Sequence, residues 1–260
     1  FIYGTLPYYF MKGYKPDSPY LKYYEYIKKH GYSRHLYEFK DEYTNMPVNV
    51  QKDEKKGLYY VQQEKKRLYF RKSTPPKKIQ KYYRALSMEQ DKRSPHHYFD
   101  SVKDVTGKVF VDIGCAEGYS SLEIVEEAKH IYLFEQDEQW LEAIRATFEP
   151  WQDKVTIIQK YVSDHNSSRE QTLDDFFNNQ TDEHLFLKMD IEGAERHALT
   201  GCKNLFQNCQ KLDFAICTYH LRDDEEVIST FLNKHNCAYI NQKGFFRHRI
   251  RSVVMRGSKR

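Results

Sequence analysis

The segment VFVDIGCAEGYSSLEI, residues 109–124, combines side chains and spacings that could bind a small organic ligand. An apolar, β-branched run ends at Asp112, and Gly114 and Gly118 follow in the spacing D-x-G-x-x-x-G. Glycine lets a backbone turn sharply and come close to a ligand. Glu117 lies inside this turn, where it would repel a pyrophosphate but accept the ammonium group of an amino acid. The loop therefore favours S-adenosylmethionine over NAD, with an ordinary strand–helix turn as the structural alternative.

A second acidic residue supports nucleoside binding. Glu135 ends the apolar run HIYLFE and follows Asp112 by roughly the 20 residues that separate a cofactor loop from a ribose-binding acid. Acidic residues often end strands, so Glu135 alone would be weak evidence. Together with the loop, it predicts a nucleoside-binding crevice.

Two further segments carry groups that could move a proton. In FLKMDIEGAE, residues 186–195, strand alternation places Lys188 and Asp190 on one face, with Asp190 at the strand end. The next strand leads into His220, at the same predicted edge of the sheet. A neutral imidazole can accept a hydroxyl proton or bind a divalent metal. We therefore predict His220, Asp190 and Lys188 as catalytic residues, with His220 as base and Asp190 orienting it or binding a metal. A structural ion pair of Lys188 with Asp190 is the alternative.

The elements that position these residues alternate between strands and helices from Lys108 onward. Such alternation predicts an α/β fold with a parallel sheet covered on both faces. Two consecutive final strands, CAYIN and RIRSVVM, predict an antiparallel hairpin at one edge, with its turn near Gly244. That ending fits a Rossmann-like class I methyltransferase sheet, parallel with an antiparallel C-terminal strand, better than a dinucleotide-binding sheet.

The N-terminal region has a different composition. Residues 1–95 contain 21 Lys and Arg against 10 Asp and Glu, and 17 of the 22 tyrosines lie at or before Tyr98. The patterns predict a helix over 21–30, a β-hairpin over 57–72 and an amphipathic helix over 77–91. We thus predict a small α+β, basic, tyrosine-rich accessory or substrate-recognition region over 1–93 and a cofactor-binding domain over 94–260. The positive charge of the N-terminal region either belongs to a solvated face or attracts an anionic partner. The lysines that could attract such a partner are Lys65, Lys66, Lys77 and Lys78.

Several classes of protein are disfavoured. No apolar run has the roughly 18–20 residues of a membrane-spanning helix, and the first residues do not resemble a signal peptide. The five cysteines form no CxxC pair, so we expect reduced thiols, no zinc site and a cytoplasmic location. The sequence starts at Phe1 instead of Met, which indicates a fragment.

The segments VDIGCAEGYSSLEI, IYLFEQDEQW and LKMDIEGAE resemble the FkbM family of S-adenosylmethionine-dependent methyltransferases over roughly residues 89–257. EQDKRSPHHY and the Tyr219-His220 pair resemble a bacterial subgroup. The resemblance implies methyl transfer usually to a hydroxyl oxygen. By position it implies that the loop residues hold the cofactor's amino acid end, Glu135 its ribose, Ser94 and His96 the methionine side, and the backbone at 161–162 the adenine. The full implied cofactor set is Ser94, His96, Asp112, Gly114, Glu117, Gly118, Glu135, Gln136, Tyr161, Val162 and Asp190.

The predicted function is S-adenosylmethionine-dependent O-methylation of a saccharide or glycan hydroxyl. The acceptor could be acidic or phosphate-linked and lie at a membrane surface. An RNA methyltransferase is the rival enzyme, because aromatic side chains stack on bases, although nucleic acid is the less favoured partner. A non-catalytic interaction protein with a methyltransferase fold is the other alternative. Related O-methyltransferases hold a divalent metal at these strand ends, so Mg²⁺ or Mn²⁺ on Asp190 and His220 remains open.

Overall fold

The N-terminal region combines helices with a small antiparallel sheet. The computed structural model describes residues 2–33, 36–179, 181–246 and 249–259. Its first elements are α1 (Ile2–Tyr14), α2 (Leu21–His30), α3 (Lys40–Thr44), β1 (Val50–Asp53), β2 (Leu58–Gln63), β3 (Lys66–Tyr69) and α4 (Pro76–Glu89). The predicted helix over 21–30, the hairpin and the amphipathic helix are confirmed. Pro76 occupies the first turn of α4, where a missing N–H costs no hydrogen bond.

The remainder of the chain forms a seven-stranded sheet and its helices. The sheet strands are β4 (Val109–Ile113), β5 (His130–Phe134), β6 (Val155–Ile158), β9 (Leu185–Met189), β10 (Leu212–Cys217), β11 (Ala238–Phe246) and β12 (Arg249–Lys259). Between β6 and β9, β7 (Tyr161–Val162) pairs with β8 (Glu170–Gln171). The helices are α5 (Tyr119–Ile124), α6 (Glu138–Phe148), α7 (Leu173–Phe176), α8 (Glu195–Thr200), α9 (Lys203–Asn208) and α10 (Asp224–Lys234).

The strand order is β11-β12-β10-β9-β4-β5-β6. The pairs from β10 to β6 are parallel, whereas β12 runs antiparallel to both β10 and β11. The order reverses at β4, so the loop after β4 lies where open α/β sheets bind ligands. The predicted class I methyltransferase sheet with a reversed C-terminal strand is confirmed.

Strand alternation divides the core between the two faces of this sheet. Val109, Val111 and Ile113 of β4 pack on one face, while Phe110 packs on the other. The face of Phe110 is covered in part by side chains from the N-terminal region, including Leu68 of β3, Phe70 and Ile79 of α4. The division at residue 93 stays a prediction; the hydrophobic cluster on this face extends across it.

The antiparallel hairpin predicted from the two final strands is confirmed. Gly244, near which its turn is predicted, lies inside β11 opposite Arg251 of β12, and residues 247–248 lie outside the described ranges. A Cβ at Gly244 would lie 2.5 Å from Cγ of Pro95. This glycine therefore lets Pro95 pack closely against the strand.

Two expectations about the chain as a whole can be compared with the structure. Within the described ranges, no helix is both long and apolar enough to cross a bilayer. All five cysteines are free, and four of them are buried.

Candidate functional site

A cavity of about 810 Å³ lies at the carboxyl ends of β4, β5, β6 and β9. This volume is within the range of about 300–1,000 Å³ that small-molecule sites occupy. The predicted residues that line it are Asp112, Gly114, Glu117, Glu135, Gln136, Tyr161, Val162, Lys188 and Asp190. Ser94, His96, Gly118 and His220 are not among the residues that line it. Most of the predicted set is thus brought together around one cavity.

The two glycines of the loop after β4 are required by close packing. Gly114 has φ +77°, and a Cβ there would lie 2.3 Å from the carbonyl oxygen of Asp190. Gly118 has φ +81°, and its Cβ would lie 2.7 Å from Cε2 of Phe148. Left-handed backbone of this kind favours glycine. Gly114 therefore lets the loop after β4 touch the chain that follows β9.

A buried ion pair fixes the base of this loop. Asp112 and Lys188 are register partners on neighbouring strands, and Lys188 Nζ lies 2.8 Å from Asp112 Oδ1. Lys188 Nζ also donates to the carbonyl oxygen of Gly114 at 2.7 Å, and Ser121 Oγ donates to Asp112 Oδ2 at 2.6 Å. Burial alone would lower the pKa of Lys188, but the carboxylates of Asp112 and Asp190 outweigh it and hold that pKa above its ordinary value. These contacts favour a role for Lys188 in holding the loop.

Glu117 is a buried carboxyl in the cavity wall. Its side chain accepts a hydrogen bond from the hydroxyl of Tyr82, on α4, at 2.9 Å. Burial raises the pKa of Glu117 to about 7, although the Tyr82 hydrogen bond opposes this increase. A cation placed beside Glu117 would restore the ionised form. This position therefore suits a positively charged group of a ligand.

Glu135 is held by two backbone amides. Its Oε2 accepts a hydrogen bond from Ala116 N at 3.0 Å, and its Oε1 accepts one from Asp137 N at 2.8 Å. Each oxygen retains acceptor capacity toward the cavity. On the same side, Tyr161 of β7 is 54% exposed, whereas Val162 is buried. This side of the cavity therefore offers the carboxylate oxygens of Glu135, which can accept hydrogen bonds from hydroxyl groups, and the ring face of Tyr161.

At the end of β9, Asp190 lies among phenols and a histidine. Tyr98 Oη donates to Asp190 Oδ2 at 2.7 Å, and Tyr219 Oη donates to Oδ1 at 3.3 Å. Burial would raise the pKa of Asp190, but the charges of Lys188 and His220 outweigh it and hold that pKa below its usual value. Asp190 is thus an ionised carboxylate at the surface of the cavity.

Behind Asp190, His220 is oriented by Glu195. His220 Nδ1 lies 2.9 Å from Glu195 Oε1, and its Nε2 lies 3.4 Å from Asp190 Oδ1. Glu195 is fully buried, and its carboxylate also accepts the backbone N–H groups of Ile191 and Gly193. Burial would lower the pKa of His220, but the hydrogen bond and charge of Glu195 raise it overall. Glu195, instead of the predicted Asp190, therefore makes the short contact that orients the imidazole.

A divalent metal would fit one side of this histidine. One ligand atom each from Asp190, Glu195 and His220 lies within 4.8 Å of the others. Glu195 is already engaged by two backbone amides and by Nδ1, whereas Nε2 faces Asp190 at 3.4 Å and Glu192 Oε2 at 3.6 Å. Ligands that share a metal at about 2.1 Å are spaced about this far apart. Asp190 and the Nε2 of His220, the pair predicted from the sequence, are thus the residues that could hold it, with the exposed Glu192 beside Nε2 as a further carboxylate.

The predicted methionine-side residues lie behind the cavity wall. Ser94 and His96 are both buried, and Ser94 Oγ accepts a hydrogen bond from His96 N at 3.1 Å. The His96 ring meets the ring of Tyr219 edge to face, with centroids 4.6 Å apart. Since Tyr219 itself lines the cavity, these two residues support the wall from outside.

The N-terminal region supplies part of the cavity that the sequence did not predict. Arg71, which follows β3, lines it, as do α4 residues Tyr82, Ala85, Leu86 and Glu89. Of the four lysines expected to attract an anion, Lys66 is instead buried, with Nζ donating to the carbonyl oxygen of Glu123 at 3.0 Å. The other three, Lys65, Lys77 and Lys78, are exposed. The expectation is therefore wrong for Lys66, because its strand position points into the structure.

Comparison with known proteins identifies a family model that matches this chain. Residues 24–245 match the model of the methyltransferase FkbM domain. No curated protein matches significantly.

Three solved structures illustrate the fold. The methyltransferase FkbM from Methylobacillus flagellatus is 18% identical, with a TM-score of 0.47, over 58% of this chain and 43% of that one. A protein from Streptococcus mutans, described as a methyltransferase and solved with SAH, is 16% identical over 60% and 93%, with a TM-score of 0.44. The Methanocaldococcus jannaschii tRNA m1G37 methyltransferase is 14% identical over 83% and 57%, with a TM-score of 0.46.

The aligned part spans less than half the length of the first of these structures. The family model, in contrast, covers most of the chain. The resemblance expected from the sequence is therefore confirmed, and this chain belongs to the FkbM methyltransferase family.

Proposed function

We propose that this protein is an S-adenosylmethionine-dependent O-methyltransferase that acts on a hydroxyl of a saccharide or glycan. One observation carries the proposal: a single cavity is lined by the pair Glu117 and Glu135 and, as a second group, by Asp190 with His220 and Glu195 behind it. The first pair suits a nucleoside with an amino acid tail. The second suits an acceptor that must lose a proton.

In this proposal the cofactor lies along the loop after β4. Glu135, fixed by two backbone amides, accepts hydrogen bonds from the ribose hydroxyls. Glu117 receives the ammonium group, which favours its ionised form. The ion pair of Lys188 with Asp112 holds the loop in place. Asp190, against which Gly114 brings the loop, would then lie beside the methyl group to be transferred.

The chemistry is an in-line displacement. When bound, the cofactor would supply a methyl group to the acceptor oxygen, and the electron pair of the broken carbon–sulfur bond would remain on the sulfur. The acceptor proton passes to Asp190, which touches the cavity, and from there to His220 Nε2. Glu195 stabilises the resulting imidazolium through Nδ1. Alignment of the two reactants can supply roughly 7–11 kcal/mol of the barrier.

A divalent metal on Asp190, Glu192 and His220 is the alternative arrangement of the same groups. A bound metal of this kind makes an alcohol more acidic by polarising its oxygen. In that arrangement, Glu195 would still orient the imidazole through Nδ1.

The acceptor end of the cavity favours a polyhydroxyl molecule. Glu89, Gln90, Tyr98 and Tyr219 line it beside Asp190, and they offer carboxylate, amide and phenol groups that pair with hydroxyls. The carboxylates of Glu89 and Asp190 would repel an anionic group placed where the methyl group is transferred. An acidic or phosphate-linked glycan would therefore place its charge away from Asp190, near the exposed lysines of the N-terminal region.

The test is a methyl-transfer screen with labelled S-adenosylmethionine against neutral glycans, phosphate-linked glycans and RNA. We expect label in a glycan and no label in RNA. Reversal of Lys65, Lys77 and Lys78 to Glu should raise the KM of a phosphate-linked acceptor, while Lys66 is left unchanged because it is buried. Label in RNA alone would contradict the proposed acceptor class.

A further inference from the structure

Arg71 is a cation of the cavity wall that the proposed mechanism does not use. Arg71 lies directly after β3, and its guanidinium carbon is 3.8 Å from the centre of the Trp140 ring. Its Nη1 lies 3.2 Å from Asp137 Oδ2. Arg71, Asp137 and Trp140 all line the cavity. The guanidinium is thus held in a fixed position by a ring face and a carboxylate.

Arg71 retains a donor without a partner. Among the residues that the structure describes, its Nε is buried and has no hydrogen-bond acceptor. An arginine presents five N–H donors, and a second edge remains when one edge faces Asp137. A buried N–H without an acceptor is costly. A ligand group that binds in the cavity beside Arg71 would supply this acceptor.

The other basic side chains in the described cavity wall already have partners. Lys188 binds Asp112 and Gly114, and Lys160 Nζ donates to Gln171 Oε1 at 3.2 Å. The imidazoles of His165 and His197 lie 2.8 and 2.9 Å from Asp164. Arg71 is thus the cation in the described wall with a buried donor to offer.

Arg71 and Glu117 flank the same aromatic pair. The Tyr82 ring stacks on Trp140 with centroids 6.3 Å apart, and Tyr82 Oη donates to Glu117. Arg71 lies over the Trp140 ring, and Glu117 lies at the Tyr82 hydroxyl. An α-amino acid presents an ammonium and a carboxylate side by side. A carboxyl and a guanidinium on one wall match both charges of such a group.

We propose that Arg71 binds the carboxylate of the cofactor's methionine moiety, so that the N-terminal region completes the cofactor site. This proposal rests on the proposed function, because it assumes a cofactor with an amino acid end. An Arg–carboxylate pair that uses two N–H donors is among the strongest hydrogen-bonded contacts that side chains make. The N-terminal region would then recognise the cofactor as well as the acceptor.

The test compares two ligands that differ in this group. S-adenosylhomocysteine carries the amino acid, whereas 5′-methylthioadenosine keeps the nucleoside and the thioether without it. Calorimetry on Arg71→Ala should show S-adenosylhomocysteine binding weakened roughly 10- to 100-fold. Binding of 5′-methylthioadenosine should stay within about threefold of wild type. Lys72→Ala removes a positive charge from the neighbouring exposed residue and should change neither affinity.

Equal weakening of both ligands, or of neither, would overturn the assignment of Arg71 to the carboxylate. If Arg71→Ala does not fold, Arg71→Lys keeps the charge without the planar fork and should give a smaller loss confined to S-adenosylhomocysteine. The wild-type titration separates the two proposals. If wild-type protein does not bind S-adenosylhomocysteine, the proposed function fails; if it binds but shows no selective effect of Arg71, only this inference fails.

Discussion

Substitution of Glu195 by Gln tests the proposed proton transfer most sharply, because it changes charge with little change in shape. In wild type, Glu195 Oε1 receives both Ile191 N–H and His220 Nδ1, and Oε2 receives Gly193 N–H. Glutamine keeps one of these two oxygens and has an NH₂ group in place of the other. That NH₂ group must then face an N–H donor, which it cannot accept. The charge-assisted bond to imidazolium becomes a neutral one, which is weaker by about 1–2 kcal/mol. We therefore expect the plateau kcat to fall about 5- to 30-fold.

The pH profile of methyl transfer gives a second readout. The groups that face His220 are Glu195, Asp190, Glu192 and the ring of Tyr219. Because Glu195 raises the pKa of His220, wild-type activity should rise with pH through a value above that of an ordinary histidine. In Glu195→Gln that rise should move to lower pH, since burial alone lowers the pKa.

The control for this experiment is the affinity for S-adenosylhomocysteine, which should be unchanged. Glu192→Gln removes a carboxylate from a side chain that is 92% exposed, and it should cost less than Glu195→Gln in a metal-free site. A larger loss from Glu192→Gln would point to the metal arrangement. An unaltered kcat and an unaltered pH profile in Glu195→Gln would refute the role given to the His220–Glu195 pair.

Two further predictions concern the same cavity. His220→Ala should lower kcat by roughly 10²–10⁴-fold with cofactor affinity retained, and chelator should leave wild-type turnover intact; turnover that stops with chelator and returns with Mg²⁺ or Mn²⁺ would establish the metal instead. Glu117, with a pKa of about 7, is about half protonated at pH 7, and an ammonium beside it lowers that pKa. Binding of S-adenosylhomocysteine at pH 7 should therefore release protons, as calorimetry in buffers of different ionisation enthalpy would measure, and Glu117→Gln should abolish the release.

Much of the fold could be predicted because its information is local. Apolar strands such as β4 and β5, and helices with apolar residues at helical spacing such as α6, are recognisable within single segments. The sequence did not predict α1, α3, β1, β7, β8, α7 or α9, and β7 and β8 contain only two residues each. The sequence places the hairpin turn near Gly244, whereas the close approach of Pro95 to this glycine is a tertiary contact that no local pattern shows.

The candidate site could likewise be predicted only where its residues lie close together in the sequence. Asp112, Gly114, Glu117 and Glu135 follow one another at characteristic spacings, and the cavity contains all four. The partners that set their chemistry come from distant positions: Tyr98 reaches Asp190, and Tyr82 reaches Glu117. Glu195 lies within the distinctive KMDIEGAE segment, but its place in a helical pattern gave no sign that it would face His220. Contacts of this kind require the assembled sheet.

The central claim is that the cavity binds S-adenosylmethionine. A calorimetric titration of wild-type protein with S-adenosylhomocysteine, followed by a matched titration with NAD, tests it most directly. We expect saturable binding of S-adenosylhomocysteine, weakened in Glu135→Ala, and no binding of NAD. Binding of NAD without binding of S-adenosylhomocysteine would contradict it.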